Sequence, residues 1–343
     1  YVVHGDDWRA GIQKNVRKKV IKTLKKWSGK IIEPKYTKNI SSTKIKNKII
    51  EIGTSAENRK SKLKRLIDAK KIVRIIESHS ALAGLIVENL KLIKGQNFLE
   101  FDGMWSSSLA DSTVRGKPDN QAVDYSTRIA GLNEILDVTS KPIIFDADNG
   151  GRIEHLPYLV KTLERIGVSA IVLEDKIGLK KNSLFKSQEK AKQDSIENFC
   201  IKLKKARESK ISDDLFIVAR IESFILGKDL KDAMRRAEAY SRSGADAILI
   251  HSKEKHPNQI FSFSKNFTKS KFLKPLIAIP STYSKTYESE LINNGFKIVI
   301  YANHFLRAIH PAMVNVAKMI LKNQRSFEAE KKMSSIKEVI NLI

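Results

Sequence analysis

The sequence lacks the features that mark secreted and membrane-spanning proteins. Its 343 residues include one cysteine, Cys200, so no disulfide can form within the chain and a reducing cytoplasm is the expected location. No apolar run approaches the roughly 18 residues of a membrane-spanning helix, and no signal peptide precedes the first predicted strand. We therefore expect a globular, cytoplasmic protein without a membrane partner.

Acidic residues are also few, with 38 Asp and Glu against 63 Lys and Arg, for a net charge of +25. Such an excess often marks a protein that binds nucleic acid or an anionic membrane. Here the lysines are spread from Lys14 to Lys337, in surroundings rich in isoleucine and asparagine. This distribution indicates a compositional bias, and no nucleic-acid partner is expected.

From about residue 70, short apolar strands alternate with amphipathic helices, which is typical of a parallel sheet covered by helices. The predicted strands are residues 71–76, 97–101, 141–145, 169–173, 215–219, 246–250, 274–279 and 296–300. The predicted helices include residues 156–167, 229–244, 289–295, 305–322 and 328–343. Eight parallel strands predict an α/β fold of the (β/α)8, TIM-barrel type.

Polar side chains follow every predicted strand. They are Glu77, Ser78, His79, Trp105, Ser107, Asp146, Asp148, Glu174, Asp175, Lys176, Arg220, Glu222, His251, Ser252, Ser281, Thr282, Asn303 and His304. Because the carboxyl ends of parallel barrel strands meet at one end, these residues are expected to surround an active site.

The stretch IIFDADNGG places Asp146 and Asp148 directly after the third strand, and Glu174 follows the next one. On an extended chain, side chains two residues apart point the same way, so the two aspartates would crowd one spot. Such a cluster needs a cation or a raised pKa, and Mg²⁺ prefers carboxylate oxygens. A solvated strand-to-helix turn with an Asx cap is the alternative. No His or Cys cluster suggests zinc. For Glu174, a salt bridge to Lys176 or Arg220 is the alternative.

The segment EDKIGLKKNS (174–183) is the most specific motif in the chain. Together with GMWSSSL (103–109), DADNG (146–150), VARIESF (218–224) and ILIHSK (248–253), it resembles the phosphoenolpyruvate mutase family of the isocitrate lyase superfamily. The resemblance runs from about residue 58 to the end. It implies Mg²⁺-dependent interconversion of phosphoenolpyruvate and 3-phosphonopyruvate, and a homo-oligomer, dimer or tetramer, with a swapped C-terminal helix. The stretch HPAMVNVAKMILKN is compatible with a swap, because it has an apolar stripe and Pro311 is expected to break the helix there.

The resemblance also implies a role for individual residues. Asp119 on a mobile loop would receive or steady the phosphoryl group, Lys180 on a gating loop would close over it, and Asn182, Ser183 and His251 would contact it. The implied substrate-binding residues are Trp105, Ser107, Ser183, Arg220 and His251. The implied metal site is Asp146, which ligates Mg²⁺, with Asp148 and Glu174 holding its waters.

At two places the residues alone give a different indication from the resemblance. By sequence, Asp119 is only a loop acid that could cap a helix. The stretch DADNGGRIEH lacks the tyrosine and the last glycine that many relatives have after the two aspartates, so the surroundings of the metal are expected to differ.

Three other functions compete with the mutase. The superfamily lyases carry a catalytic cysteine in a Lys-(Lys/Arg)-Cys-Gly-His loop, and this chain has DKIGLKKNS there. Phosphonopyruvate hydrolase shares most of the site, but a threonine tends to replace the asparagine, so Asn182 favours the mutase. The third competing function is a nucleotide- or RNA-binding module with an inactive barrel. The presence of all three carboxylates, Asp146, Asp148 and Glu174, at the strand ends disfavours it.

The first 52 residues do not fit the barrel. Their pattern is a strand, a basic helix (Lys14–Trp27) and a second strand in GKIIEPK. The motifs GDDW and ISSTKI resemble the carboxyl-terminal part of cytidylyltransferase-like nucleotidyltransferases, in which ISST contacts the triphosphate; an ordinary helix cap at Ser41–Thr43 is the alternative. The predicted organisation is this incomplete domain (1–52), a linker and lead-in helix (53–70), and the barrel (71–343).

We predict that the chain does not transfer a cytidylyl group, because the phosphate-binding histidines of that family belong upstream of residue 1. Without them the leaving pyrophosphate has no neutralising partner. Incubation with cytidine triphosphate and 2-aminoethylphosphonate should release no pyrophosphate above background, while activity of the barrel persists in the same sample and after deletion of residues 1–52. Measurable pyrophosphate release would contradict the prediction.

Overall fold

The computed structural model describes residues 1–35, 54–95, 97–184 and 191–342. The chain divides into two compact units, Tyr1–Ile49 and Ile50–Ile343. The predicted triphosphate contact at Ser41–Thr43 lies outside the described residues, as does residue 53 at the start of the predicted linker.

The described strands and helices follow one another along the chain. The strands are β1 (Val2–Val3), β2 (Ile31–Ile32), β3 (Val73–Glu77), β4 (Leu92–Lys94), β5 (Asn97–Leu99), β6 (Gly103–Ser106), β7 (Ile143–Asp146), β8 (Ala170–Glu174), β9 (Lys176–Ile177), β10 (Lys192–Gln193), β11 (Phe216–Ile221), β12 (Ala247–Ile250), β13 (Leu276–Ala278) and β14 (Phe296–Tyr301). The helices are α1 (Lys14–Leu24), α2 (Ala56–Ala69), α3 (Ala81–Asn89), α4 (Ser108–Thr113), α5 (Tyr125–Asp137), α6 (Leu156–Arg165), α7 (Ile196–Ser209), α8 (Leu230–Arg242), α9 (Asn258–Phe267), α10 (Glu288–Asn293), α11 (His304–Asn323), α12 (Phe327–Glu330) and α13 (Ile336–Ile340).

In the first unit, a short parallel pair of strands is connected by a basic helix. β1 pairs with β2, with Val2 opposite Ile31, and α1 lies between them in the chain. Glu33, directly after β2, accepts a hydrogen bond from Arg17 Nε at 2.6 Å. The predicted order of strand, basic helix and strand is therefore present, whereas the resemblance to nucleotidyltransferases stays a prediction.

The second unit contains the predicted eight-stranded barrel. Its strands follow the order β3, β6, β7, β8, β11, β12, β13, β14, all pairs are parallel, and β14 closes onto β3 with Ile298 opposite Val73. Amphipathic helices such as α6 and α8 lie between consecutive strands in the chain. The predicted α/β barrel of the TIM type is confirmed.

One predicted barrel strand is wrong. Asn97–Leu99 forms the hairpin strand β5, antiparallel to β4, and Phe98 is 67% exposed. The second barrel strand is β6, where Gly103 permits close packing, since a Cβ there would lie 2.7 Å from both Ile75 Cδ1 and Pro142 O. A short apolar run cannot distinguish a hairpin strand from a barrel strand, so the pattern in 97–101 was misleading.

The amino end of the barrel is closed by the lead-in helix α2. Its Leu63 and Ile67 belong to the apolar cluster that fills the barrel with Val73, Ile75, Ile144, Val172, Val218, Leu249, Ile277 and Ile298. The buried Arg59 guanidinium of the same helix donates to the carbonyl oxygens of Thr54, Leu136, Thr139 and Ile166. These contacts tie the loops before two strands together, and the opposite end is left for function.

The C-terminal helices differ from the prediction in two respects. Pro311 was expected to break the helix, but α11 is continuous through it, because a proline removes one backbone hydrogen bond and the neighbouring ones remain. Residues 328–343 were predicted as one helix and instead contain α12 and α13. None of the helices in the described ranges combines the length and apolar character needed to cross a membrane.

We predict a homo-oligomer in which a second copy covers α11. None of the 20 residues of α11 is buried, and Met313 and Leu321 are 68% and 78% exposed. An apolar stripe of this kind usually packs against another surface. Sedimentation at micromolar concentration should give a mass above the 38.8 kDa of one chain.

The surface can be tested with charged substitutions. The pair Met313→Glu and Leu321→Glu should shift the protein towards the monomer, because each glutamate would be buried without a partner in the interface. Ile211→Glu, at a residue that is 85% exposed and far from α11 in the chain, is the matched control and should leave the mass unchanged. A wild-type monomer would contradict the prediction.

Candidate active site

A cavity of about 60 Å³ opens at the carboxyl ends of the barrel strands. We call it the mouth cavity. It is lined by Trp105, Ser107, Ser108, Leu109, Asp119, Asp146, Lys180, Asn182, Ser183, Leu184, Arg220, His251, Ile279, Ser281, Ala302 and Asn303. Nine of the eleven predicted site residues are in this lining. The other two, Asp148 and Glu174, contact lining residues.

The wall formed by β6 and α4 carries two of these residues. Trp105 lies in β6 and is 1% exposed, and Ser107 caps α4 by accepting a hydrogen bond from Ala110 N at 3.4 Å. The next residue, Ser108, donates to Asp146 Oδ2 at 3.0 Å. Ser108 was not predicted, because a third serine in SSS carries no signal of its own.

Lys180 brings a positive charge among the predicted metal-binding carboxylates. Its Nζ donates to Asp148 Oδ1 and lies 3.2 Å from Asp119 Oδ1 and 3.9 Å from Asp146 Oδ2. Burial alone would raise the pKa of Asp146, but Lys180 and Arg220 outweigh it and lower that pKa to about 2. Burial likewise opposes the charge of Lys180, whose pKa the surrounding carboxylates nevertheless raise.

The two aspartates converge for a different reason from the one predicted. Asp146 ends β7, whereas Asp148 has φ +50°, in the left-handed region, so the backbone between them is not extended. Asp148 N donates to Asp146 Oδ1 at 3.2 Å. A tight turn, and not the alternation of a strand, places both carboxylates beside Lys180.

Glu174 is buried at the end of β8 and is incompletely paired. Its Oε1 lies 3.6 Å from Lys176 Nζ and its Oε2 3.7 Å from Arg220, so both salt bridges considered from the sequence are present. Oε2 has no hydrogen-bond partner among the described residues, and burial raises the pKa of Glu174 to about 7. A buried carboxylate in this condition would be stabilised by a further cation.

No three Asp, Glu, His or Cys side chains within the described ranges form a ready-made metal cluster. The acidic group of Asp146, Asp148 and Glu174 offers carboxylate oxygens, which are hard ligands. It suits a cation that keeps most of its waters and takes one or two carboxylates, which is how Mg²⁺ is usually held.

Two loops meet over the mouth cavity: the loop that carries Asp119, predicted to be mobile, and the loop that carries Lys180 to Ser183, predicted to gate the site. We keep the names mobile loop and gating loop for them. Asp119 is nearly buried and accepts a hydrogen bond from Asn182 Nδ2 at 2.9 Å, in addition to its ion pair with Lys180. The helix cap that Asp119 might have provided is made by Asp124, which accepts from Thr127 N at the start of α5. Asp119 is thus part of the cavity and caps no described helix.

A second wall is organised around Glu222, which was among the polar residues after the predicted strands but was given no individual role. Its carboxylate accepts from Arg220 Nε at 2.6 Å and from Ser183 Oγ at 2.5 Å, and it lies 2.9 Å from His251 Nδ1. Lys176 Nζ is 3.3 Å away. These cations lower the pKa of Glu222 well below its usual range although its burial alone would raise it. Three predicted substrate-binding residues are therefore held by one buried carboxylate.

Two further residues that the sequence analysis missed support the site. Arg128 on α5 is buried and donates to the Asp146 carbonyl at 2.6 Å, from behind the turn that holds the aspartates. Asn303 follows β14 and lines the cavity with a buried Oδ1 that has no hydrogen-bond partner. Asn303 was among the polar residues after the predicted strands, but no sequence feature distinguished it from the others. Arg128 lies within a helix, where no motif indicated a role in the site.

The unusual DADNGG turn connects three loops. Asn149 Nδ2 donates to the Gly178 carbonyl at 3.2 Å, and its Oδ1 accepts from Gly151 N at 3.0 Å and from Gln121 Nε2 at 3.2 Å. The departure from the common family pattern therefore leaves the aspartates in place and gives this turn its own contacts to the gating and mobile loops.

The chain is similar to proteins of one family over most of its length. The family model of phosphoenolpyruvate phosphomutase matches residues 63–321. Phosphoenolpyruvate phosphomutase of Tetrahymena pyriformis is 35% identical over 84% of this chain and 92% of that protein. The crystal structure of the phosphomutase from Streptomyces platensis subsp. rosaceus has a TM-score of 0.75 at 31% identity, covering 84% and 94% of the two chains.

A solved protein with a related activity has nearly the same structural similarity to this chain. A phosphonopyruvate hydrolase in complex with oxalate and Mg²⁺ has a TM-score of 0.73 at 30% identity, covering 83% of this chain and 94% of the hydrolase. The family match begins at residue 63 and does not cover residues 1–52, so the nucleotidyltransferase resemblance of that segment gains nothing from it. With its closed barrel and its acidic mouth cavity, the chain belongs to the phosphoenolpyruvate phosphomutase family, within the phosphoenolpyruvate mutase and isocitrate lyase superfamily.

Proposed function

We propose that the protein is a phosphoenolpyruvate mutase that uses Mg²⁺ to interconvert phosphoenolpyruvate and 3-phosphonopyruvate. The observation that carries the proposal is the contact of two loops through Asp119, which pairs with Lys180 and with Asn182 over the mouth cavity. An enzyme that moves a phosphoryl group within one substrate must exclude water while the group is in transit. A pair of loops that closes over the cavity serves this purpose.

The acidic group fits the metal of the proposed reaction. Asp146 would hold Mg²⁺, with Asp148 and Glu174 binding its waters, and the unpartnered Oε2 of Glu174 supports this arrangement. The related hydrolase was solved with Mg²⁺ and oxalate, which supports the same class of cation here. When bound, Mg²⁺ would offset the negative charge that develops on the enolate oxygen.

The protein's own residues supply positioning and charge. Arg220 would bind the substrate carboxylate with its planar fork, and Trp105 and Ser107 would hold the pyruvyl half. As the C–P bond breaks, its electron pair stays with C3 and forms the enolate, and the phosphoryl group passes to the enolate oxygen. Asp119 would receive or steady that group, while Lys180 and Asn182 neutralise and orient it.

Ser183 and His251 were predicted to contact the phosphoryl group directly. Both line the mouth cavity, and both are held by Glu222. His251 is buried, which together with the charge of Arg220 lowers its pKa. We propose that His251 meets the phosphoryl oxygens, and that Ser183 acts mainly by joining the gating loop to this wall.

Phosphonopyruvate hydrolase is the competing function, because the solved hydrolase is almost as similar to the chain as the mutase is. The hydrogen bond from Asn182 to Asp119 favours the mutase, since it would shield the phosphoryl group at Asp119 from water. The buried and densely paired acidic group disfavours an inactive barrel that serves only to bind nucleic acid.

We predict that the protein with phosphonopyruvate and Mg²⁺ gives the phosphorus NMR signal of phosphoenolpyruvate. Asn182→Thr removes the amide that donates to Asp119, and it should shift the products towards free phosphate and pyruvate. Asn198→Thr, on the exposed face of α7, is the matched control and should leave the ratio unchanged. Free phosphate and pyruvate from the wild type would identify a hydrolase instead.

We also predict that turnover depends on a divalent metal held by Asp146. A strong chelator should abolish activity and added Mg²⁺ should restore it, and Asp146→Ala should lower kcat at least about 100-fold through loss of charge stabilisation at the reacting atoms. Asp213→Ala, at an exposed loop acid, is the control. Binding of Mn²⁺ measured by electron paramagnetic resonance should weaken in Asp146→Ala alone. Full activity with chelator would overturn the assignment.

A further inference from the structure

The carboxylate of Glu222 is an acceptor that four neighbouring side chains share. It is fully buried, and it can only accept hydrogen bonds when ionised. The groups that face it are Arg220 on β11, Lys176 on β9, Ser183 on the gating loop and His251 after β12. These residues belong to four different segments of the chain, and their contacts to Glu222 connect the four segments.

The hydroxyl of Ser183 has only one possible arrangement in this network. Lys176 Nζ at 2.9 Å and Arg220 Nη2 at 3.0 Å can only donate to Ser183 Oγ. The single hydroxyl proton must therefore point to Glu222 Oε2 at 2.5 Å. This chain of hydrogen bonds fixes the gating loop at Ser183 and fixes the orientation of the Arg220 fork.

The Nδ1 atom of His251 lies within hydrogen-bonding distance of both a donor and an acceptor, and Glu222 determines which of the two it pairs with. Its Nδ1 lies 3.0 Å from Arg220 Nη2, which can only donate, and 2.9 Å from Glu222 Oε1, which can only accept. One nitrogen of a neutral imidazole cannot satisfy both neighbours. A proton on Nδ1 satisfies Glu222 and leaves Nε2 as an acceptor towards the mouth cavity, where it can accept from a protonated phosphoryl oxygen. Without Glu222 the proton would move to Nε2 and Nδ1 would accept from Arg220.

We infer that Glu222 is a positioning residue for the phosphoryl-binding wall: it fixes the proton of His251 on Nδ1 and holds Arg220 and Ser183 in register with it. The inference rests on the proposed function for what the wall binds. Glu222 does not line the mouth cavity, so it acts through these three residues and not by contact with the substrate.

If Glu222 positions other residues, its variants should have different kinetics from those expected if it only supplied negative charge or only stabilised the fold. Glu222→Gln removes a negative charge beside an anion-binding wall, so binding of an anionic substrate should be unchanged or tighter. The reacting groups would nevertheless be misplaced, and kcat should fall about 100-fold. Glu222→Asp keeps the charge but withdraws the carboxylate by about 1.5 Å, and it should also lower kcat.

The proton position gives a readout that does not depend on activity. In protein with ¹⁵N-labelled histidines, the ring signals of His251, one of seven histidines, can be assigned with His251→Gln. They should report Nδ1–H in the wild type and a shift towards Nε2–H in Glu222→Leu, which removes both acceptor oxygens; Glu222→Gln keeps an amide oxygen that can still accept from Nδ1. Binding of inorganic phosphate, measured by calorimetry, should be equal or tighter in Glu222→Gln.

Glu164→Gln is the matched control. Glu164 is equally buried, lies on α6 outside the mouth cavity, and accepts from Ile211 N and Ser212 N at 2.7 Å each. This control should lower thermal stability and leave kcat, KM and the His251 signals unchanged. If Glu222→Gln fails to fold, Glu222→Asp carries the test.

Unchanged ring signals in folded Glu222→Leu, or unchanged kcat in folded Glu222→Gln or Glu222→Asp, would overturn the inference, as would a rise in KM alone. If the wild type converts phosphonopyruvate to neither product, the proposed function fails. The His251 signals and phosphate binding then still decide whether Glu222 positions this wall.

Discussion

Charge compensation among buried groups at the mouth of the barrel is the constraint on which the other features depend. Asp146, Asp148, Glu174 and Glu222 are all buried there. An unpaired buried carboxylate is destabilising by several kcal/mol, so each must meet a cation or a hydrogen-bond donor. The partners come from loops that are distant in sequence. The gating loop, through Lys180, is therefore held at the cavity by the same charges that suit the site to an anionic substrate and a metal.

This concentration of charge requires a stable scaffold beneath it. The barrel interior is filled by β-branched and leucine side chains, and α2 closes the amino end with apolar residues and with the buried fork of Arg59. Folding energy is thus supplied mainly at one end and along the interior by apolar burial. The carboxyl end can then carry strained features, such as Asp148 in the left-handed region, that a marginal fold would not tolerate.

The arrangement of residues at the mouth cavity also explains how mutase and hydrolase activities are related. Both reactions need the pyruvyl half held and the phosphoryl charge neutralised, and the same groups can do both. What differs is whether water reaches the phosphoryl group before the enolate oxygen does. In this chain that question falls on a few contacts between the two loops, above all the one between Asn182 and Asp119. Small changes in the loops can therefore separate activities that share one barrel.

The sequence by itself determined the barrel, because alternation of apolar strands with amphipathic helices is a local pattern, and it indicated the end at which Asp146, Arg220 and His251 would meet. It misplaced the second strand, since a short apolar run does not reveal its neighbours. Only the tertiary structure decided that Glu222 joins Ser183 and His251 and that Arg128 supports the aspartate turn. Ser183 and His251 lie 39 and 29 residues from Glu222, and Asp146 lies 18 residues from Arg128. Closure of the barrel brings these partners within hydrogen-bonding distance, and no periodicity encodes them.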